Sequence, residues 1–128
     1  MEIKIPTSLG ELIDKISILL IKKKNINNAR KLLHINKELK NLKNVLKTLK
    51  LDNKTINSYL KKMVNVNATL WEIEDNIRFA DSKNKFDSKF ITLARSVYKN
   101  NDLRAKIKLE INKKFKSKIV EVKSYKKY

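Results

Sequence analysis

The chain has 128 residues, of which 41% are hydrophobic and 34% charged. This length and composition predict one domain, residues 1–128, with a single core. The absence of cysteine excludes disulfides, a thiolate nucleophile and cysteine-ligated zinc, and it favours a reducing compartment. No apolar run approaches the roughly 20 residues of a membrane span, and the start lacks the basic-then-apolar order of a signal peptide. We therefore expect a cytoplasmic protein that does not bind membranes.

The formal charge is +18 at pH 7. Clustered cations release counterions from phosphate backbones and give non-specific affinity for nucleic acid. Here the lysines are spread over every segment, and lysine, asparagine and isoleucine, whose codons are rich in A and T, dominate the composition. We therefore interpret the charge as mostly compositional and expect only weak, non-specific binding to DNA or RNA.

One glycine and one proline in the whole chain predict long, uninterrupted helices. The first predicted helix begins after Pro6, with Ser8 as N-cap and Glu11 completing a capping box. Opposite its apolar stripe it places acidic and basic side chains within about 100° of arc. These side chains are Glu11, Asp14, Lys15 and Lys22.

The second and third predicted helices have apolar residues at alternating steps of three and four, as in coiled coils. The second runs from about Asn28 to Lys50, and the third follows a cap at Asp52 or Asn53. Two such stripes joined by a short turn predict an antiparallel helix hairpin at the centre of the fold. The expected core includes Leu39, Leu42, Met63 and Leu70.

Polar and aromatic side chains lie beside the apolar stripe of the third helix, at Asn67, Trp71, Glu74, Asp75 and Arg78. Charges that border a core are partly dehydrated and need partners. One interpretation is an ion pair between Glu74 and Arg78 with Trp71 at the core edge. The other is one wall of a binding pocket.

The fourth predicted helix runs from about Asp87 to Phe115, with a kink or restart at residues 100–102, where two asparagines and an aspartate disfavour a helix interior. It carries two polar stripes, which we interpret as a second pocket wall. Only four of the 31 cationic residues are arginine, and arginine offers a bidentate geometry that lysine lacks. The first stripe contains Arg95, Tyr98 and Asp102, and the second contains Asn101, Arg104 and Lys108.

Both ends of the chain alternate apolar and polar residues, at Ile3 and Ile5 and again near Val122. This alternation predicts a short two-stranded ribbon pairing the termini, provided that it packs on the helices. The expected fold is therefore all-α: a compact bundle of about four helices with a central antiparallel helix hairpin and this ribbon.

The segments SLGELIDKISILLIK, LWEIEDNIR, ARSVYKNNDLRAKIKLEIN and VEVKSY resemble the bacterial family called domain of unknown function 6165. The resemblance covers both ends and the third helix, and residues 26–60 carry little of it. It implies a small protein of no known reaction, sometimes found beside or fused to sugar-transferring proteins. The polar signature that it implies comprises Glu11 and the pocket residues Asp14, Lys15, Lys22, Trp71, Glu74, Asp75, Arg78, Arg95, Tyr98, Asn101, Asp102 and Arg104.

These pocket residues predict a mixed-charge site that binds a small anion of the carboxylate, phosphate or sugar-phosphate type. The first alternative is a structural or partner-binding protein in which the same residues form a buried ion-pair network. Two further alternatives are a divalent-metal-dependent enzyme acting on nucleotides, with Glu11, Asp14, Glu74 and Asp75 as ligands, and the non-specific nucleic-acid binder. No cofactor or catalytic residue is assigned, and a homodimer is compatible with all of these interpretations.

Overall fold

The structure of the protein, a computed structural model, describes residues 1–126. Four helices make up the fold, and the predicted all-α bundle is confirmed. They are α1 (Leu9–Asn25), α2 (Ala29–Thr48), α3 (Asn53–Ser82) and α4 (Ser88–Lys114). Within residues 1–126, no helix combines the length and the apolar character needed to cross a membrane.

Each helix begins at a polar residue whose side chain accepts a hydrogen bond from a backbone N–H three residues later, as helix N-caps do. The caps are Ser8, Asn28, Asp52 and Asp87. The Ser8 cap is confirmed, with 3.1 Å between its Oγ and the nitrogen of Glu11. The reciprocal half of the predicted capping box is wrong, because the Glu11 carboxylate accepts from Lys108 instead.

α1 is the only helix that contacts all three others, and α3 also packs against α4. The α2 backbone approaches neither α3 nor α4, so the centre of the bundle is α1 and not the predicted pair of α2 and α3. The physical reason is the composition of α1, which buries eight of its 17 residues, whereas α2 buries only Ile35 and Leu39. An apolar stripe shows that a helix face is buried, but it does not identify the helix that covers it.

Two groups of apolar side chains form the core, and α1 contributes to both. The first lies between α1, α3 and α4 and contains Ile13, Ile56, Met63, Val66, Ile107 and Ile111. The second lies between α1 and α2 and contains Leu12, Ile16, Leu19, Ile35 and Leu39. The predicted core positions Leu39 and Met63 are buried, with 4% and 0% of their surface exposed, and Leu42 and Leu70 are partly buried.

The single glycine of the chain lies at a close approach of α1 to α4. A Cβ atom on Gly10 would lie 2.7 Å from the carbonyl oxygen of Lys108, which is shorter than any normal contact. The Gly10 N–H donates to the Oδ1 atom of Asn112 at 2.8 Å. Only glycine allows these two backbones to come so close without displacement.

No residue in the distal halves of α3 and α4 is fully buried. Ile73 is the last buried residue of α3 and Ile107 the first of α4, so residues 74–106, called the distal hairpin below, contain none. The predicted restart at residues 100–102 is wrong, because α4 is continuous from Ser88 to Lys114. Asn100 is tolerated inside the helix, since its side-chain amide donates to the carbonyl of Ser96 at 2.8 Å.

The predicted ribbon between the termini is not found, since residues 1–126 contain no strand. Ile3, Ile5 and Val122 are 75%, 72% and 87% exposed, so the two segments have no buried face to stabilise their pairing. The ends meet in a different way: the N–H of Leu9 donates to the hydroxyl of Ser117 at 3.4 Å.

Candidate functional site

The centre of the site is an ion pair between Asp14 of α1 and Arg104 of α4. Arg104 binds the carboxylate in a bidentate manner: Nε donates to Oδ1 at 2.9 Å and Nη2 donates to Oδ2 at 2.5 Å. The Asp14 side chain is 3% exposed and that of Arg104 is 28% exposed. The hydrogen bond to Asp14 raises the pKa of Arg104 above its ordinary value, so the guanidinium is charged at any physiological pH.

α3 joins this pair through Asn67, which is also buried. Its side-chain amide donates to Asp14 Oδ1 at 2.8 Å and to the hydroxyl of Ser17 at 2.7 Å. Ser17 in turn donates to the backbone carbonyl of Asp14 at 2.6 Å. One aspartate therefore connects α1, α3 and α4 through hydrogen bonds that all lie inside the bundle.

A second ionic cluster lies one turn further along α4, at Lys108. Its ammonium group contacts Glu11 Oε1 at 2.9 Å and Glu121 Oε2 at 2.8 Å, while only 8% of the side chain is exposed. Burial, the largest influence, lowers the pKa of Lys108, but the hydrogen bonds with Glu121 and Glu11 outweigh it and the pKa is raised. The hydrogen bond with Lys108 lowers the pKa of Glu121. This cluster ties the segment after α4 to the start of α1.

The Lys108 cluster predicts a defined pH dependence of stability. Because the pKa of Glu121 is below its ordinary 4.5 in the folded protein, its contribution is present above pH 4.5 and is lost as the pH falls through the folded value. Because the pKa of Lys108 is above its ordinary 10.5, its contribution is present below pH 10.5 and is lost as the pH rises through the folded value.

Urea unfolding of the wild type and of Glu121→Gln, from acidic to neutral pH, measures the first of these effects. The wild type should be the more stable at neutral pH, and the difference should shrink as the pH falls below 4.5 and through the lowered pKa of Glu121, where its carboxylate becomes neutral like the glutamine. Glu72→Gln, at an exposed position of α3, is the control and should show no such trend. A Glu121→Gln difference that grows as the pH falls would contradict the assignment.

An open groove of about 320 Å³ lies beside the Asp14 pair, between α1, α3 and α4. Its walls are apolar on the α1 side, and its polar groups come from α3 and α4. The lining residues are Ile18, Ile21, Asn67, Leu70, Trp71, Glu74, Asn101 and Arg104. An indole ring, two amides, a carboxylate and one edge of a guanidinium could together hold a small ligand with both donors and acceptors.

The structure brings together five of the predicted pocket residues, since Trp71, Glu74, Asn101 and Arg104 line the groove and Asp14 binds Arg104. It does not bring the others there. Lys15 is exposed and pairs with Glu38 of α2, and Arg78 is exposed and lies 3.7 Å from Glu74. Lys22 is partly buried near the end of α1 and is not one of the residues that line the groove. The four that remain, Asp75, Arg95, Tyr98 and Asp102, are exposed on the distal hairpin.

Four buried residues of the site, Ser17, Asn67, Lys108 and Asn112, are not among the predicted pocket residues. The sequence did give a signal for two of them, since Asn67 lies on the predicted polar flank beside Trp71 and Lys108 shares a predicted polar stripe with Arg104. Ser17 and Asn112 give no such signal, because an isolated serine or asparagine on a helix is usually solvated.

The predicted acid pairs do not face each other. Glu11 binds Lys108 and Asp14 binds Arg104, while Glu74 lies beside Arg78. Within residues 1–126, no three side chains among His, Cys, Asp and Glu come together as metal ligands do. The carboxylates of Glu11, Asp14 and Glu74 thus contact cationic side chains of the chain itself.

The geometry is therefore that of a satisfied ionic network with a small groove at its edge. Comparisons with curated proteins and with solved structures gave no match. A family model covers the whole of residues 1–128 and confirms the resemblance drawn from the sequence motifs, so the chain belongs to the Family of unknown function (DUF6165).

Proposed function

We propose that this protein acts by binding a protein partner, and that its polar constellation serves to fix the packing of α1 against α3 and α4. One observation carries the second part: in residues 1–126, every buried side-chain nitrogen and oxygen has a hydrogen-bond partner. Asp14 and Arg104 neutralise each other, and Lys108 has two carboxylates. Buried charges arranged in this way specify one packing of the helices.

The distal hairpin supports a partner. It exposes five large apolar or aromatic side chains, and two of its arginines, Arg78 and Arg95, are also exposed. Aromatic residues and arginine are enriched at protein interfaces, where lysine is depleted. The most exposed apolar side chains there are those of Phe79, Phe86, Ile91 and Tyr98, between 54% and 63% exposed.

The groove beside Trp71 supports a second candidate function, the binding of a small anionic ligand such as a carboxylate, phosphate or sugar phosphate. Arg104 and Asn101 face the groove and could donate hydrogen bonds. Two features weaken this candidate. Arg104 is already neutralised by Asp14, and Glu74 at the rim repels anions.

Thermal unfolding with a panel of anions, sugar nucleotides and divalent ions distinguishes the two functions. A ligand present at about 100 times its Kd stabilises a protein by about 2.7 kcal/mol. We expect no panel member to stabilise the wild type more than it stabilises Trp71→Ala, and we expect Arg104→Lys to lower stability with no ligand present. A ligand that stabilises the wild type but neither variant would overturn the proposal in favour of the small-ligand site.

The remaining alternatives stay predictions. Exposed lysines occur on all four helices, so we propose that contact with nucleic acid is non-specific and fades as salt rises. A cytoplasmic location rests on composition, above all on the lack of cysteine.

A further inference from the structure

A stripe of six residues runs along one face of α4, at steps of four and three residues in alternation. Its members, called the α4 stripe below, are Ile91, Arg95, Tyr98, Asp102, Ala105 and Leu109. This spacing keeps the side chains in one line along a helix, as in the contact stripe of a two-helix coiled coil. Ile91 is 56%, Tyr98 54% and Leu109 36% exposed.

The helices of the bundle leave this stripe uncovered. α4 packs on α1 and α3 through other faces, with Ile107 and Ile111 in the core and Arg104 and Lys108 in the ionic network. Arg95 and Asp102 are exposed, and neither forms an ion pair in the part of the chain that the structure describes. Among the described residues, the Arg95 guanidinium and the Asp102 carboxylate thus flank the exposed Tyr98 without an ion-pair partner.

The order of the α4 stripe is self-complementary. Counted from Tyr98, Arg95 lies three residues before and Asp102 four residues after, while Ile91 and Ala105 lie seven residues before and after. An antiparallel copy related by a two-fold axis at Tyr98 would therefore place each Arg95 nearly opposite an Asp102, with an offset of one residue, about 1.5 Å along the helix. It would also place each large Ile91 opposite a small Ala105. Isologous interfaces require this kind of reciprocal matching.

We propose that a second copy of this chain packs antiparallel along the α4 stripe, with two reciprocal contacts between Arg95 and Asp102 around a central pair of Tyr98 side chains. The inference rests on the proposed function, because it names the protein partner. Charge complementarity selects this partner, since the stripe has one cation and one anion at mirrored positions and contains no lysine, in a chain with 31 lysines and arginines.

The C-terminal end of the α4 stripe borders a groove that can accommodate part of the second copy. Asp102, Ala105 and Leu109 line a groove of about 700 Å³ between α4 and the segment around Tyr125. In the antiparallel arrangement the end of the second copy that carries Ile91 reaches this groove. Because Ala105 lines this groove, the groove leaves room for the bulky Ile91 side chain of the second copy.

Charge reversal tests the proposal, with sedimentation equilibrium of the full chain as the measurement. We expect a wild-type dimer, and Arg95→Asp and Asp102→Arg should each raise its Kd by roughly tenfold or more, because each creates two like-charge contacts. The double variant, which exchanges the two charges, should recover most of the affinity. Lys89→Asp, a reversal on α4 outside the stripe, is the control and should leave the Kd unchanged.

Cysteine cross-linking gives a second measurement, since the chain has no cysteine of its own. Under mild oxidation Tyr98→Cys should form a covalent dimer, because the two positions meet at the axis, and Lys89→Cys should not. A monomeric wild type, a folded double-reversal variant that stays monomeric, or equal cross-linking of the two cysteine variants would each overturn the proposal.

The two proposals fail in different ways. A monomeric wild type would overturn the dimer and leave a different protein partner open. A small ligand that stabilises the wild type through Trp71 would overturn the proposed function and would not alter the sedimentation result.

Discussion

Arg104→Met should lower the free energy of unfolding by about 3–5 kcal/mol, as expected when one partner of a buried ion pair is removed. Asp14 is 3% exposed, and without Arg104 its carboxylate would retain only neutral hydrogen-bond donors such as Asn67. Methionine fills most of the volume of the arginine stem, so the loss measures the uncompensated charge more than a cavity. Urea denaturation at neutral pH gives the value.

Two further variants separate charge from packing. Arg78→Met changes an exposed arginine of α3 and should alter stability by less than about 1 kcal/mol. Asp14→Asn combined with Arg104→Met leaves no buried charge and should recover much of the loss. If Arg104→Met and Arg78→Met cost the same, the Asp14 pair does not hold the bundle together as we describe.

Leu39→Ala should lower the free energy of unfolding by about 2–5 kcal/mol, the cost of a cavity left by a buried leucine. Leu39 is 4% exposed and packs with Ile16 and Leu19 of α1 in the second core group. Since α2 buries only two residues, it has little other packing to compensate. Thermal or urea unfolding measures the change.

Leu33→Ala is the matched control on the same helix, because Leu33 is 70% exposed. It should change stability by no more than about 0.5 kcal/mol. Equal effects of the two substitutions would mean that the apolar stripe of α2 does not lie against α1.

The helices and most of the core followed from the sequence because their signals are local. A cap such as Ser8 and an apolar repeat such as that around Leu39 depend on residues within one or two turns. The choice of neighbours did not follow, since a leucine stripe on α2 fits α1 as well as it fits α3. The ribbon was wrong for a related reason: alternation at Ile3 and Ile5 predicts a strand only where something covers one face.

Part of the site could be predicted and part could not, and Asp14 shows why. On a helix, an aspartate beside Lys15 is expected to face water. Its burial becomes understandable only with Arg104, 90 residues away, and Asn67, 53 residues away. The scarcity of arginine correctly singled out Arg104, but it gave equal weight to Arg78 and Arg95, which are exposed. The sequence alone does not show whether an arginine forms a buried bidentate ion pair or lies exposed on the surface.

The contact between Gly10 and Asn112 also bears on the order in which the fold assembles. It joins residues that are 102 positions apart, and closing so long a loop is entropically costly, so such contacts tend to form late. Ile107 and Ile111 of the first core group arrive with the same helix. During synthesis, the part of α1 that packs on α4 must therefore remain uncovered until α4 emerges, and in that interval a nascent chain exposes apolar surface that later lies at its centre.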